Sequence, residues 1–84
     1  MYSIVYKKTA EKELLALPKD YALKLRAIIN RLSVNPFPRG CKKLAGTSNA
    51  YRIRTGNYRI IYAVESGRLL ILIIKIAHRR EVYR

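Results

Sequence analysis

Arg52, Arg54 and Arg59 are spaced so that a β-hairpin would gather them on one surface. If Gly56-Asn57 is a two-residue turn between strands Ala50 to Thr55 and Tyr58 to Glu65, then Thr55 opposes Tyr58, Arg54 opposes Arg59, Ile53 opposes Ile60 and Arg52 opposes Ile61. Opposed residues point the same way, so the three guanidiniums share a face. Arg52 and Arg54 then stand roughly 6.5 to 7 Å apart along the strand, comparable to the step between phosphates on a stretched single strand. Arg54 against Arg59 is a like-charge pair, which costs stability unless an anion sits between the two. A guanidinium is a planar fork suited to phosphate oxygens. Any one of these arginines alone would only solvate the outer side of a one-sided sheet; the cluster points to phosphate binding.

Proton transfer needs a different group, because arginine stays protonated at physiological pH. His78 is the single histidine, with an ordinary pKa near 6.5 that suits both accepting and donating. Carrying the register through a two-residue turn at Ser66-Gly67 sets Arg59 opposite Ile74 and brings His78 onto the arginine face. A one-residue change there would reverse that face, and a solvent-exposed histidine at a strand end is the plainer alternative. Cys41 is the single cysteine, so the chain can build neither a disulfide framework nor a His/Cys metal tetrad. The five acids, Glu11, Glu13, Asp20, Glu65 and Glu81, fall mostly in expected helices and a turn, not in a paired constellation. The expected chemistry uses no metal and no cofactor.

These groups must be held by a small set of elements. Tyr2 to Tyr6 alternates as a short strand. Thr9 offers an N-cap to a first helix with apolar Ala10, Leu14 and Leu17, ended by Pro18. A second helix from near Asp20 carries Tyr21, Leu25, Ile28, Ile29 and Leu32 as one stripe and stops at Asn35-Pro36. Residues 36 to 49 read as a connecting loop bearing Arg39, Lys42 and Lys43. Strands follow at Ala50 to Thr55, Tyr58 to Glu65 and Arg68 to Ile76, with an edge strand possible at Glu81 to Tyr83. The face opposite the arginines collects Tyr51, Ile53, Tyr58, Ile60, Tyr62, Val64, Leu69, Ile71 and Ile73, a surface for the helices to cover. The expected architecture is one α+β domain over residues 1 to 84, a helical hairpin packed on a mainly antiparallel, twisted sheet of about four to five strands.

Composition agrees with an anionic target. Eighteen Lys and Arg against five Asp and Glu give a net charge of +13 in 84 residues, a field that attracts polyanions. The excess is +4 over residues 1 to 35 and +9 over residues 36 to 84, so a nucleic-acid site is expected in the second half. The longest apolar run, Leu69 to Ile74, is too short to span a bilayer and the N-terminus shows no signal-peptide pattern, which suggests a cytoplasmic protein.

Three segments taken in order carry a resemblance: Lys42-Lys43-Leu44-x-Gly46; Tyr51-Arg52-Ile53-Arg54-x-Gly56-x-Tyr58-Arg59-Ile60-Ile61-Tyr62; and His78-Arg79-Arg80-Glu81-Val82-Tyr83. Together they resemble the RelE/ParE toxin superfamily, and its RelE branch most closely, over nearly the whole chain. The resemblance implies a RelE-like microbial RNase fold and a toxin of a type II toxin-antitoxin system, silenced by a cognate antitoxin. It further implies an endoribonuclease that enters the ribosomal A site and cuts messenger RNA by attack of a 2′-OH on the adjacent phosphate. By motif position the phosphate ligands are Arg52, Arg54 and Arg59; Arg79 and Tyr83 join the site, and Lys42, Lys43 and Arg80 are further RNA contacts. Positions 52 and 54 hold Arg where the best-known member pattern has Lys, so proton transfer falls to His78 or Tyr83; the latter could equally stack a base. The alternatives are a ParE-like toxin that poisons gyrase without cutting RNA, and an inactive RNA-binding domain. Ile61, Ala63, Leu70, Leu72 and Ile74 share the arginine face, more apolar surface than a solvated sheet shows, so the chain's own Arg79 to Arg84 segment is a candidate cover for part of it and an antitoxin segment with apolar anchors and acidic flanks is expected to cover the rest.

Overall fold

The computed structural model describes residues 1–78. Strand β1 (Ser3–Tyr6) leads into helices α1 (Lys8–Leu15) and α2 (Lys19–Arg31); β2 (Lys42–Lys43), β3 (Ala50–Thr55), β4 (Tyr58–Glu65) and β5 (Leu70–His78) follow. The strands form one five-stranded sheet in the order β1-β5-β4-β3-β2. β1 runs parallel to β5, which the helical crossover makes possible, and every other pair is antiparallel. The expected α+β architecture is therefore the observed one, with a mixed sheet. The expected tail strand at Glu81 to Tyr83 lies outside the described residues.

Each helix presents a narrow apolar stripe. Ala10 and Leu14 of α1, one turn apart, are fully buried, as are Leu25 and Ile29 of α2 with Leu32 just beyond it. They close over Ile53, Ile60, Tyr62, Val64, Ile71, Ile73 and Ile76, the inner face of the three long strands. Two sequence expectations shift here. Thr9 lies inside α1 and does not cap it, since the helix begins at Lys8 with Lys7 in the extended cap position. Tyr21, assigned to the buried stripe, is 49% exposed and rests against Tyr58 with ring centroids 5.4 Å apart. The first helix ends at Leu15 with Ala16 as its C-cap, which leaves Leu17 in the connection, and Pro18 occupies the N-cap position of the second.

The segment read as a plain loop contains β2. Lys42 pairs with Arg52 and Lys43 with Tyr51, while the loop is anchored from inside by the Tyr62 hydroxyl, which donates to the Pro36 carbonyl at 2.8 Å. A two-residue edge strand made of lysines gives almost no alternation to read, and its charge discourages further pairing at that edge. Among the described residues no helix is long and apolar enough to cross a membrane.

Candidate phosphate-binding face

The β3–β4 hairpin has the register that its turn dictates. Gly56 takes φ +58°, the left-handed region that a tight hairpin turn beginning with glycine uses. Thr55 pairs with Tyr58, Arg54 with Arg59, Ile53 with Ile60 and Arg52 with Ile61. The three arginines therefore share the face opposite the helices. Lys42 joins them through its pairing with Arg52. Three adjacent strands thus contribute four cations to one surface. Lys43 pairs with Tyr51 and lies on the other side, so the structure separates two residues that the sequence reading grouped as RNA contacts.

The four cations are not equivalent. Arg59, on a central strand, is 7% exposed, whereas Arg54 is exposed and Arg52 is intermediate. Arg54, Gly56, Tyr58 and Arg59 line a depression of about 80 Å³ at the hairpin end of the sheet. A single water needs about 10–15 Å³ of such space, so the depression admits a small anionic group. Glycine at position 56 places no side chain across its mouth, and two guanidiniums on its wall supply forked donors at fixed spacing. A buried guanidinium facing an exposed one can grip an anion with little reorganisation, which is the condition for strong electrostatic stabilisation.

His78 does not sit where the two-residue-turn register puts it. The β4–β5 connection is a 3-10 turn, Ser66–Arg68, followed by Leu69 at φ +50°, and Glu65 pairs with Leu70. This longer turn moves β5 by an even number of residues and leaves Ile71 and Ile73 facing the core. A bulge then intervenes: Tyr62 pairs with Ile73 but Ile61 pairs with Lys75, leaving Ile74 over. Past the bulge Ile60 faces Ile76, Arg59 faces Ala77 and Tyr58 faces His78. The extra residue reverses the side on which the strand end presents its side chains. His78 is therefore on the helix side, its ring edge-on to Tyr58 at 5.1 Å between centroids, and the expected pairing of Arg59 with Ile74 is replaced by Ala77. Tyr58 nevertheless links the two places, since it also lines the depression.

The bulge shows in the burial pattern. Ile71, Ile73 and Ile76 are all buried in the core, and a spacing of two then three cannot be met by a regular strand. Tyr58 and Ala77 are the site neighbours that the sequence reading missed. Arg79, Arg80 and Tyr83 lie outside the described residues. Burial, more than the nearby Cys41, pushes the Tyr62 phenol well above its usual range, and burial likewise raises Tyr6, opposed there by Arg26. Both phenols are held neutral on the core side and belong to the packing.

Comparison with known proteins gives this face a context. Residues 4–83 match the family model of the ParE toxin of type II toxin-antitoxin systems. Over 99% of its length the chain is 31% identical to a putative toxin RelE1 of Methanocaldococcus jannaschii, covering 96% of that protein. It is 30% identical to the toxin RelG of Mycobacterium tuberculosis over 99% of this chain and 97% of that one. Among solved structures, the archaeal RelE-RelB complex from Pyrococcus horikoshii superposes with a TM-score of 0.83 at 34% identity, covering 93% of this chain and 94% of that one. The isolated Escherichia coli RelE toxin, at 24% identity and a TM-score of 0.83 over 99% of this chain and 92% of that one, shares the fold. With the same elements in the same order and likeness along nearly its full length, the chain belongs to the RelE/ParE superfamily as a RelE-like toxin of a type II toxin-antitoxin system.

Proposed function

We propose that this toxin is a metal-independent endoribonuclease that cuts messenger RNA in the ribosomal A site and so halts translation in the cytoplasm. The observation that carries this reading is the Arg54–Arg59 pair, one exposed and one buried, beside the depression at Gly56. In the reaction the 2′-OH of one nucleotide attacks the adjacent phosphorus, the bond to the 5′-oxygen of the next nucleotide breaks, and a 2′,3′-cyclic phosphate and a 5′-OH result. Negative charge accumulates on the non-bridging oxygens, and Arg59 and Arg54 bind it, with Arg52 and Lys42 holding the flanking backbone. Arg79 adds a cation and Tyr83 a proton donor or a base-stacking ring. The 2′-OH proton passes to His78 or to an ionised Tyr83, and the departing 5′-oxygen takes its proton from the other of the two or from water. Arg80 engages RNA further out.

The proposed partner is a cognate antitoxin, as in the RelE-RelB complexes solved for relatives. Ile61, Ala63, Leu70, Leu72 and Ile74 are each only half-buried on the face shared with the arginines. An acidic-flanked apolar segment there would bury that surface and screen the cations at once.

Gyrase poisoning without RNA cleavage is the second reading. The register that takes His78 off the arginine face favours it, as does the ParE description of the matching family model. Purified protein incubated with ribosomes and message separates the two. Cyclic-phosphate-terminated fragments support the nuclease; loss of gyrase supercoiling with intact message supports the alternative. Binding of RNA through several phosphates should weaken steeply between low and moderate salt, and a flat response would contradict a site made of these side chains.

A further inference from the structure

β1 ends at Tyr6, whose partner is Ile73, and the Lys7 amide makes the last bond to β5 by donating to the Ile73 carbonyl at 2.9 Å. Beyond that point no described strand flanks the outer edge of β5. Glu13 of α1 stands in for one. Its Oε1 accepts the Ile76 amide hydrogen at 2.9 Å and its Oε2 meets the Lys75 Nζ at 3.0 Å. Both partners follow the bulge directly, and they begin the four residues that pair with Ile61, Ile60, Arg59 and Tyr58.

We propose that Glu13 is a positioning residue for the arginine face: its carboxylate holds β5 in the bulged register that sets Ala77 opposite Arg59. This rests on the phosphate-binding reading of that face. Continuing the Tyr62–Ile73 pairing without a bulge would put Lys75 against Ile60 in the core and Ile76 against Arg59. The first exchange buries a cation. The second sets a branched side chain where a methyl now faces the buried guanidinium. Glu13 acts against both, because one carboxylate draws the Lys75 ammonium outward and ties down the neighbouring amide. Charge-assisted bonds of this kind are stronger than neutral ones, and a strand end that extends past its described neighbour β1 is where local opening begins.

The test uses the full chain with Glu13→Ala and Glu13→Gln, the latter keeping an acceptor for the Ile76 amide while losing the charge. In Glu13→Ala the Ile76 amide should exchange at least roughly tenfold faster and the cross-strand NOEs between Arg59 and Ala77 should weaken. Affinity for a 2′-O-methyl RNA oligonucleotide should fall about tenfold at a temperature where the protein is fully folded, with Glu13→Gln within about threefold of the parent. A folded Glu13→Ala protein that keeps the Arg59–Ala77 NOEs, or loses them and binds RNA as before, overturns the proposal. Should Glu13→Ala not fold, Glu13→Asp, one methylene short of Ile76, is expected to show the same losses, and parental behaviour there overturns it equally. If the parent protein itself binds no RNA, the phosphate reading falls, and amide exchange with the NOEs still decides whether Glu13 sets the register.

Discussion

The β3–β4 and β4–β5 pairings use the same strand β4 but obey different rules. On one side a two-residue turn with glycine at φ +58° fixes every pair out to Ala50 with Ala63. On the other side a 3-10 turn, a left-handed Leu69 and a bulge at Ile74 intervene. The first pairing builds the arginine face and the second decides what lies behind it. A local turn transmits its register along a regular ladder, whereas a bulge answers to the core, which here demands Ile73 and Ile76 together.

Single-residue deletions should divide the two sides most sharply. Removing Ile74 leaves all the other β4–β5 pairs in place and turns a bulged ladder into a regular one, so that protein should fold with a loss of about 1–3 kcal/mol in urea titration. Removing Ile61 puts half of β4 on the wrong face, and the chain should not fold. Equal behaviour of the two deletions would mean that the bulge is not where the strain is absorbed.

Within the arginine face, Arg59→Met keeps the buried volume while removing the charge. It should lower message cleavage by about 10² to 10³ with circular dichroism unchanged, and Arg52→Met should cost less because Arg52 pairs with an aliphatic residue at the margin. A folded Arg59→Met protein that still cleaves message and arrests growth would remove the phosphate assignment.

The two turns predict opposite signs. Gly56→Ala forces a side chain into the left-handed region, although nothing lies within 4 Å of the added carbon, so backbone strain alone should cost about 1–2 kcal/mol. Leu69→Gly relieves the same strain at a residue that is 51% exposed and should gain about 0.5–1 kcal/mol in denaturant titration. A loss at position 69 would show that its side chain contributes packing that outweighs the dihedral.

An effect of similar size is expected in the core that both pairings share. Tyr62→Phe removes the bond to the Pro36 carbonyl and should cost about 1 kcal/mol. Burial raises the folded-state pKa of this phenol, so its contribution is complete below the unfolded value near 10 and is lost as pH climbs above it, when only the unfolded chain ionises freely. The parent should therefore lose stability above about pH 10 more steeply than Tyr62→Phe, as followed by thermal melts.

Much of the molecule was legible in the residues alone. The hairpin of helices followed from apolar spacing and two prolines, and the gathering of Arg52, Arg54 and Arg59 followed from one short turn, because period and turn geometry are local properties. β2 was not legible, since two lysines carry no alternation and pair only because β3 offers an edge. Nor was the side on which His78 lies. That depends on one extra residue in β5, which the chain tolerates because burying Ile76 inward and keeping Lys75 out is worth more than an unbroken ladder, and because Glu13, 63 residues away from Ile76 in sequence, supplies the missing acceptor. The sequence by itself determined the two helices, the long strands and the charged face; only the packing of helix α1 against the edge of β5 decided which residues stand behind that face.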